Sequence, residues 1–315
     1  MINKTRNLLL RMFFSLFLLA LLLWLGRKNF ATIGQLLSTI NIFKFALAVA
    51  VLLAGMMFMA MRLKIILSVQ EVNFKIKELF SLTLIGYFFS NFMPTSVGGD
   101  LIKGYYISKR AKTKSAAYAS IFIDRLIGMS SLALIAAFAL IVSRKQVGHG
   151  LIFWAVGLLC GLCLLFALLL SNRGLTKKAF GMLGLLRLLQ ALKLDQGLRR
   201  VYGYVNIYVG HKKKLLRAFV LSAIAQFVSF TSVYLLSVSL ATEMPFIKII
   251  LFMPLIAVLC MLPITMNGLG LREWGFVFFL SPQIGPAAAF SMSILYLATF
   301  LVLSIIGGVV YLLRR

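Results

Sequence analysis

Long apolar runs separated by short polar stretches make up most of the chain. Runs that read as membrane crossings lie at 12–25, 43–67, 115–142, 151–170, 218–240 and 287–313. About 20 apolar residues carry an α-helix through the hydrocarbon core, so the pattern predicts six transmembrane helices. The first run follows Lys4, Arg6 and Arg11, like the front of a signal peptide. More apolar runs follow it instead of a cleavage site and a polar domain, so it reads as a retained span. Two further runs are short and stop at a proline: 79–93 ends at Pro94, and 246–262, broken by Pro254, ends at Pro263. Each leads into a polar turn, with Gly98, Gly99 and Asp100 after the first and Gly268, Gly270, Arg272 and Glu273 after the second.

Composition turns this pattern into a class. Hydrophobic residues are 62% of the chain and charged ones 13%, against about 45–50% and 25% in soluble domains. A soluble globular protein is excluded, and one polytopic membrane domain over 1–315 is expected. Lys and Arg number 33 against 7 Asp and Glu. In a soluble protein that excess would suggest nucleic acid; here the cations flank apolar runs, where they set orientation and meet anionic headgroups. The basic stretches are the N-terminus, 62–78, 101–114, 171–217 and the C-terminus. Placing all of them in the cytoplasm predicts an inner (plasma) membrane protein with both termini inside.

That placement requires 79–93 to enter from the cytoplasm and return to it, and 246–262 to do the same from outside. The expected fold is therefore all-α, with six full spans and two re-entrant helices; eight conventional spans are the alternative. Segment 171–217 carries eleven cations and one acid, Asp195. Leu185, Leu188, Leu189 and Leu192 recur there at helical spacing, which fits either an interfacial helix or a solvated connector. Cys160 and Cys163 lie inside an apolar run without acidic or histidine neighbours and read as helix packing. No metal or cofactor is expected.

Short hydrophobic segments broken by Gly and Pro in corresponding halves point to a transport site between inverted repeats. The few acids agree, because ionisable groups in a membrane cost roughly 2.5–3.5 kcal/mol each and normally face a partner or a wet cavity. Asp100, Asp124, Arg125, Arg272 and Glu273 are expected to line one polar pocket; structural ion pairs are the bland alternative. Guanidinium groups there suit a lipid phosphate. An integral-membrane transferase on lipid-phosphate substrates is the competing class, and an accessory subunit docking through 171–217 a third. The sequence offers the transferase reading only His149 and His211, no G-x-x-x-x-G-K-[ST] loop and no Ser-His-Asp set.

Three blocks carry a resemblance. Pro94-Thr95-Ser96-Val97-Gly98-Gly99-Asp100-Leu101-Ile102-Lys103, Asp124-Arg125-Leu126-Ile127-Gly128 and Gly268-Leu269-Gly270-Leu271-Arg272-Glu273 resemble, in order and spacing, the membrane region of the lysylphosphatidylglycerol synthase/flippase family. That family shows P-x-x-x-G-G-D with a following basic residue, acid-Arg-x-x-G, and G-x-G-x-R-E. Asp124 stands where Glu is common and Lys103 where Arg is common. Both keep the charge, although Lys lacks the planar two-point contact of Arg. The resemblance implies movement of a polar or phosphate-bearing lipid between leaflets, with Lys103 joining the other five charged residues at the headgroup. Stand-alone members are linked with glycan and polyprenyl-phosphate pathways, so partners would be anionic membrane lipids and a separate lipid-modifying enzyme or glycosyltransferase. Full-length synthases carry a soluble aminoacyl-transferase domain; none is evident in this sequence, and lipid lysylation is not expected of it.

Overall fold

The computed structural model describes residues 30–92, 98–142, 210–242, 244–261, 265 and 268–314, with isolated positions within 17–27, 150–161 and 207–208. The expected spans at 12–25 and 151–170, most of 171–217, Pro94 and Pro263 lie outside the described residues. Among those described, all regular structure is helical: α1 Phe30–Ser38, α2 Ile42–Val69, α3 Ile76–Phe92, α4 Gly98–Ser108, α5 Lys114–Val142, α6 Lys212–Ser239, α7 Phe246–Met261, α8 Leu271–Ile284 and α9 Pro286–Leu313. The helices α2, α5, α6 and α9 are each long and apolar enough to cross a membrane. At 1.5 Å per residue, their 28 or 29 residues reach about 42 Å.

Helices α2 and α6 form the spine and run antiparallel. Asn41 N–H donates to the Ser239 carbonyl (3.0 Å) at one end, and Lys214 Nζ donates to the Ser68 carbonyl (3.1 Å) at the other. Small residues allow the close approach, as expected where lipid offers no hydrophobic drive between helices. Ser232 Oγ donates to the Ala48 carbonyl at 2.7 Å, and a Cβ on Gly55 would lie 3.2 Å from Ser229 Oγ.

Each spine helix is followed by the same motif. After α2 the chain turns through Glu71 (φ 58°), and after α6 through Ala241 (φ 54°). In both turns an N–H reaches back five residues, Val72 to Leu67 and Thr242 to Ser237. Ile42 and Lys212, which open the spine helices, are as far apart in sequence as Ile76 and Phe246, which open the next pair. The packing repeats as well. Helix α3 lies on α9 and α7 on α5, α4 lies on α5 and α8 on α9, and α3 pairs with α4 as α7 pairs with α8. Because the spine helices are antiparallel, the two four-helix sets point in opposite directions.

The pairs α3/α4 (hairpin 1) and α7/α8 (hairpin 2) are the broken elements. In hairpin 1 the outer ends meet through Arg110 and Glu78 (2.7 Å). The inner parts touch at Gly86 and Gly99, where a methyl group on Gly99 would strike the Gly86 carbonyl and the Ser90 hydroxyl. In hairpin 2, Phe252 stacks on Phe279 (5.5 Å), Gly275 lies against Ile256 and Gly268 against Cys260. Both ends of each hairpin therefore lie at one end of the bundle: hairpin 1 at the end carrying Lys214 and hairpin 2 at the opposite end. Glycines on α9 seat the shaft of α3. A Cβ on Gly307 would collide with the Leu84 carbonyl, and one on Gly308 would sit 3.0 Å from the Phe88 ring. The Asn91 side chain reaches Ser304 and the Phe300 carbonyl, about halfway along α9.

Four readings of the sequence change. Residues 62–78 are not one loop, since α2 continues to Val69 and only 70–75 connect it to α3. Residues 101–114 are mostly the returning helix α4. Gly98 and Gly99, placed in the reversal, open α4 instead. Helix α6 also starts at Lys212, one and a half turns before the apolar run, so its cations extend the helix beyond that run.

Candidate functional site

Charged side chains collect at the two hairpin tips and at one point on the spine. At the tip of hairpin 1, Asp100 stands in the first turn of α4, where the helix dipole favours a carboxylate. It accepts from Arg125 Nε on α5 and from Lys103 Nζ one turn on (3.4 Å). Lys103 reaches this point over Gly86; a Cβ on Gly86 would lie 2.5 Å from Lys103 Cε. The side chains are partly open, with Asp100 at 15%, Lys103 at 17% and Arg125 at 36% exposure. Among the described residues the cluster joins two cations and one acid.

At the tip of hairpin 2 the described charged side chains are buried. Gly268 and Gly270 have φ of 76° and 86°, a region that side-chain-bearing residues avoid, and so let the chain turn into α8. Glu273, in the first turn of α8, accepts the Gly270 N–H at 2.6 Å, half of a capping box. Its other oxygen accepts Arg272 Nε and Nη2 at 2.9 and 2.7 Å. Both residues are buried. The Arg272 guanidinium lies 5.5 Å from the Phe300 ring and 6.0 Å from Tyr296, at cation–π distance. Phe300 also stacks on Tyr87 of α3 (5.6 Å). One aromatic residue in the middle of α9 is thus shared by both hairpins.

The third centre was not nominated from sequence. Arg62 on α2 is buried and makes a two-point contact with Asp124 on α5, both bonds at 2.7 Å. Its Nη1 donates to Ser222 on α6 at 2.8 Å, and Ser222 contacts Ser131 at 2.7 Å. Gly128 leaves room for this guanidinium, since a Cβ there would lie 3.2 Å from Arg62 Nη1. The network ties α2, α5 and α6 together. The signal was present in the sequence: an Arg inside an apolar run has to find a partner.

The six nominated charges therefore fall into three sets. Asp100, Lys103 and Arg125 come together; Asp124 turns away from its neighbour Arg125 to Arg62; Arg272 and Glu273 pair with each other. Cys160 packs on α5, its thiol 3.4 Å from the Ala133 carbonyl, while Cys163 lies outside the described residues.

Long apolar helices, two opposed broken hairpins and ion pairs at their tips define a multi-pass helical membrane protein with polar groups at membrane depth. The model of the lysylphosphatidylglycerol synthase transmembrane region matches residues 9–307, and the chain belongs to that family. No curated protein matches the chain.

Proposed function

We propose that this protein is a lipid translocase that moves a phosphate-bearing lipid between leaflets, with hairpin 1 holding the headgroup. The observation that carries this reading is the Asp100–Lys103–Arg125 cluster: partly open, with two cations to one acid among the described residues, and set beside a helix break. Irregular backbone at that depth is tolerated where protein buries it or where it lines a cavity, and ionisable groups there are functional by default. Arg125 and Lys103 would donate to phosphate oxygens. Asp100 would hold both cations oriented while the site is empty and share them when it is filled. The acyl chains stay in the bilayer throughout.

Cations at the hairpin 1 end include Lys75, Lys77, Lys109, Arg110, Lys112, Lys114, Lys212, Lys213, Lys214 and Arg314. That charge supports placing this end in the cytoplasm, so hairpin 1 would receive lipid from the inner leaflet. The test is reconstitution in vesicles with labelled phosphatidylglycerol, following leaflet exchange by chemical quenching. Arg125→Gln is expected to slow exchange at least about tenfold, the scale of one charge-assisted phosphate contact. Exchange at the wild-type rate would remove Arg125 from the headgroup site, and absence of exchange by the wild-type protein would overturn translocation of this lipid.

A further inference from the structure

Three helix ends converge at the basic end of the bundle: the start of α3, the end of α4 and the end of α9. Between α3 and α9 lies a cavity of about 380 Å³ lined by Lys77, Glu78, Ser81, Val310, Leu313 and Arg314. Its one acid, Glu78, is already committed. Both carboxylate oxygens accept from Arg110, at 2.7 and 3.0 Å, and one also takes the Lys75 N–H at 2.8 Å. Neither Lys77 nor Arg314 has an ion-pair partner among the described residues, and both are exposed. The Arg314 guanidinium rests 5.3 Å from the Tyr106 ring, and Lys109 Nζ lies 5.4 Å from the same ring. The cavity therefore has a surplus of positive charge on one side. On the other it has an apolar wall, ending at Leu313, which is 81% exposed.

We propose that this cavity binds the phosphate of an anionic membrane lipid, held between Lys77 and Arg314, with the acyl chains against Val310 and Leu313. Charge and wall together select the lipid over a free ion. A soluble phosphate would satisfy the cations and leave the leucine bare, whereas a lipid covers both. Tyrosine beside the cations is what the headgroup level of a membrane favours. The site is separate from the tip of hairpin 1, which lies about 20 Å further along α3 by helical rise. A lipid here joins α3 to α9 and so clamps the shaft of hairpin 1 to its seat.

Native mass spectrometry of the full chain tests this, with phosphatidylglycerol, phosphatidylcholine and inorganic phosphate as separate probes. Phosphatidylglycerol is expected to be retained over phosphatidylcholine. The double variant Lys77→Gln/Arg314→Gln is expected to weaken phosphatidylglycerol binding about tenfold, since interfacial cations contribute comparably one by one. The charge-conserving Lys77→Arg/Arg314→Lys is expected to restore it and to show that the fold is intact. The same tenfold loss is expected in an Arg125→Gln background, which keeps this outcome separate from translocation at the hairpin tip. Equal affinity in the wild type and the double variant overturns the site. Equal retention of the two lipids, or displacement of phosphatidylglycerol by millimolar inorganic phosphate, overturns the anionic-lipid assignment.

Discussion

The two hairpins are built alike and finished differently. Each has a shaft helix, a break in the membrane and a returning helix with a carboxylate in its first turn. In hairpin 1 that carboxylate, Asp100, finds its guanidinium on another element, Arg125 of α5. In hairpin 2, Glu273 finds Arg272 beside it in the chain and its own backbone N–H at Gly270. The first set spans two elements and its side chains are 15–36% exposed, whereas the second sits within one turn and is buried. The two tips thus differ in charge and exposure: a partly open set of two cations and one acid in one half, a buried ion pair in the other.

The largest expected consequence of this difference concerns stability. Glu273→Gln would leave Arg272 buried and unpaired, and removing one member of a buried pair costs about 3–5 kcal/mol. Asp100→Asn, where the carboxylate is 15% and Arg125 36% exposed, is expected to cost less, about 1–3 kcal/mol. Thermal unfolding of both variants in detergent measures the contrast, and equal losses would erase it. Next in size is the seat of α3: Gly307→Val would force a side chain against the Leu84 carbonyl, an overpacking cost of about 1–3 kcal/mol. The same melts read it, and an unchanged midpoint would show that α3 does not depend on this contact.

Access separates the tips more directly. On a Cys160→Ala/Cys163→Ala background, a water-soluble thiol reagent is expected to modify Arg125→Cys, at a position 36% exposed, faster than native Cys260 beside Gly268, because thiol reactivity follows exposure. Similar rates would mean that both tips are wet. The smallest effect lies outside both hairpins. Glu71 and Lys112 pair on the surface at 2.5 Å. The hydrogen bond and charge of Lys112 lower the Glu71 carboxyl below its ordinary value of 4.5. A carboxylate whose value falls on folding stabilises the fold above 4.5, and that contribution fades as pH drops through the lowered value. Melts of wild type and Glu71→Gln should differ slightly at neutral pH, converge in acid, and converge also in high salt.

Hydropathy alone made the long helices visible, since a crossing run needs no partner to be recognised. Proline and glycine marked the broken shafts for a similar local reason. The returning helices α4 and α8 were not legible. Gly98–Ser108 and Leu271–Ile284 mix glycine, charge and aromatics, and what makes them helices is the neighbour they lie on. Asp100, Arg125, Arg272 and Glu273 stood out because charge is rare in this chain, but their pairing was not readable. Asp124 and Arg125 are adjacent in sequence and serve different helices, because successive helical positions face about 100° apart. Arg62 was passed over because it sits near the end of a run that also holds Lys64, where a cation reads as a flank.

The seat of α3 on α9 also sets an order of events during synthesis. Leu84 and Gly307 touch, yet most of the chain is made between them. At roughly 5–20 residues per second, the ribosome needs about ten to forty seconds to deliver the second after the first. For that interval the shaft of hairpin 1 has α2 and α4 to rest on but not α9. The contact between α3 and α9 is thus made only after translation of the last helix, and the first half folds around α2 and α4 before it.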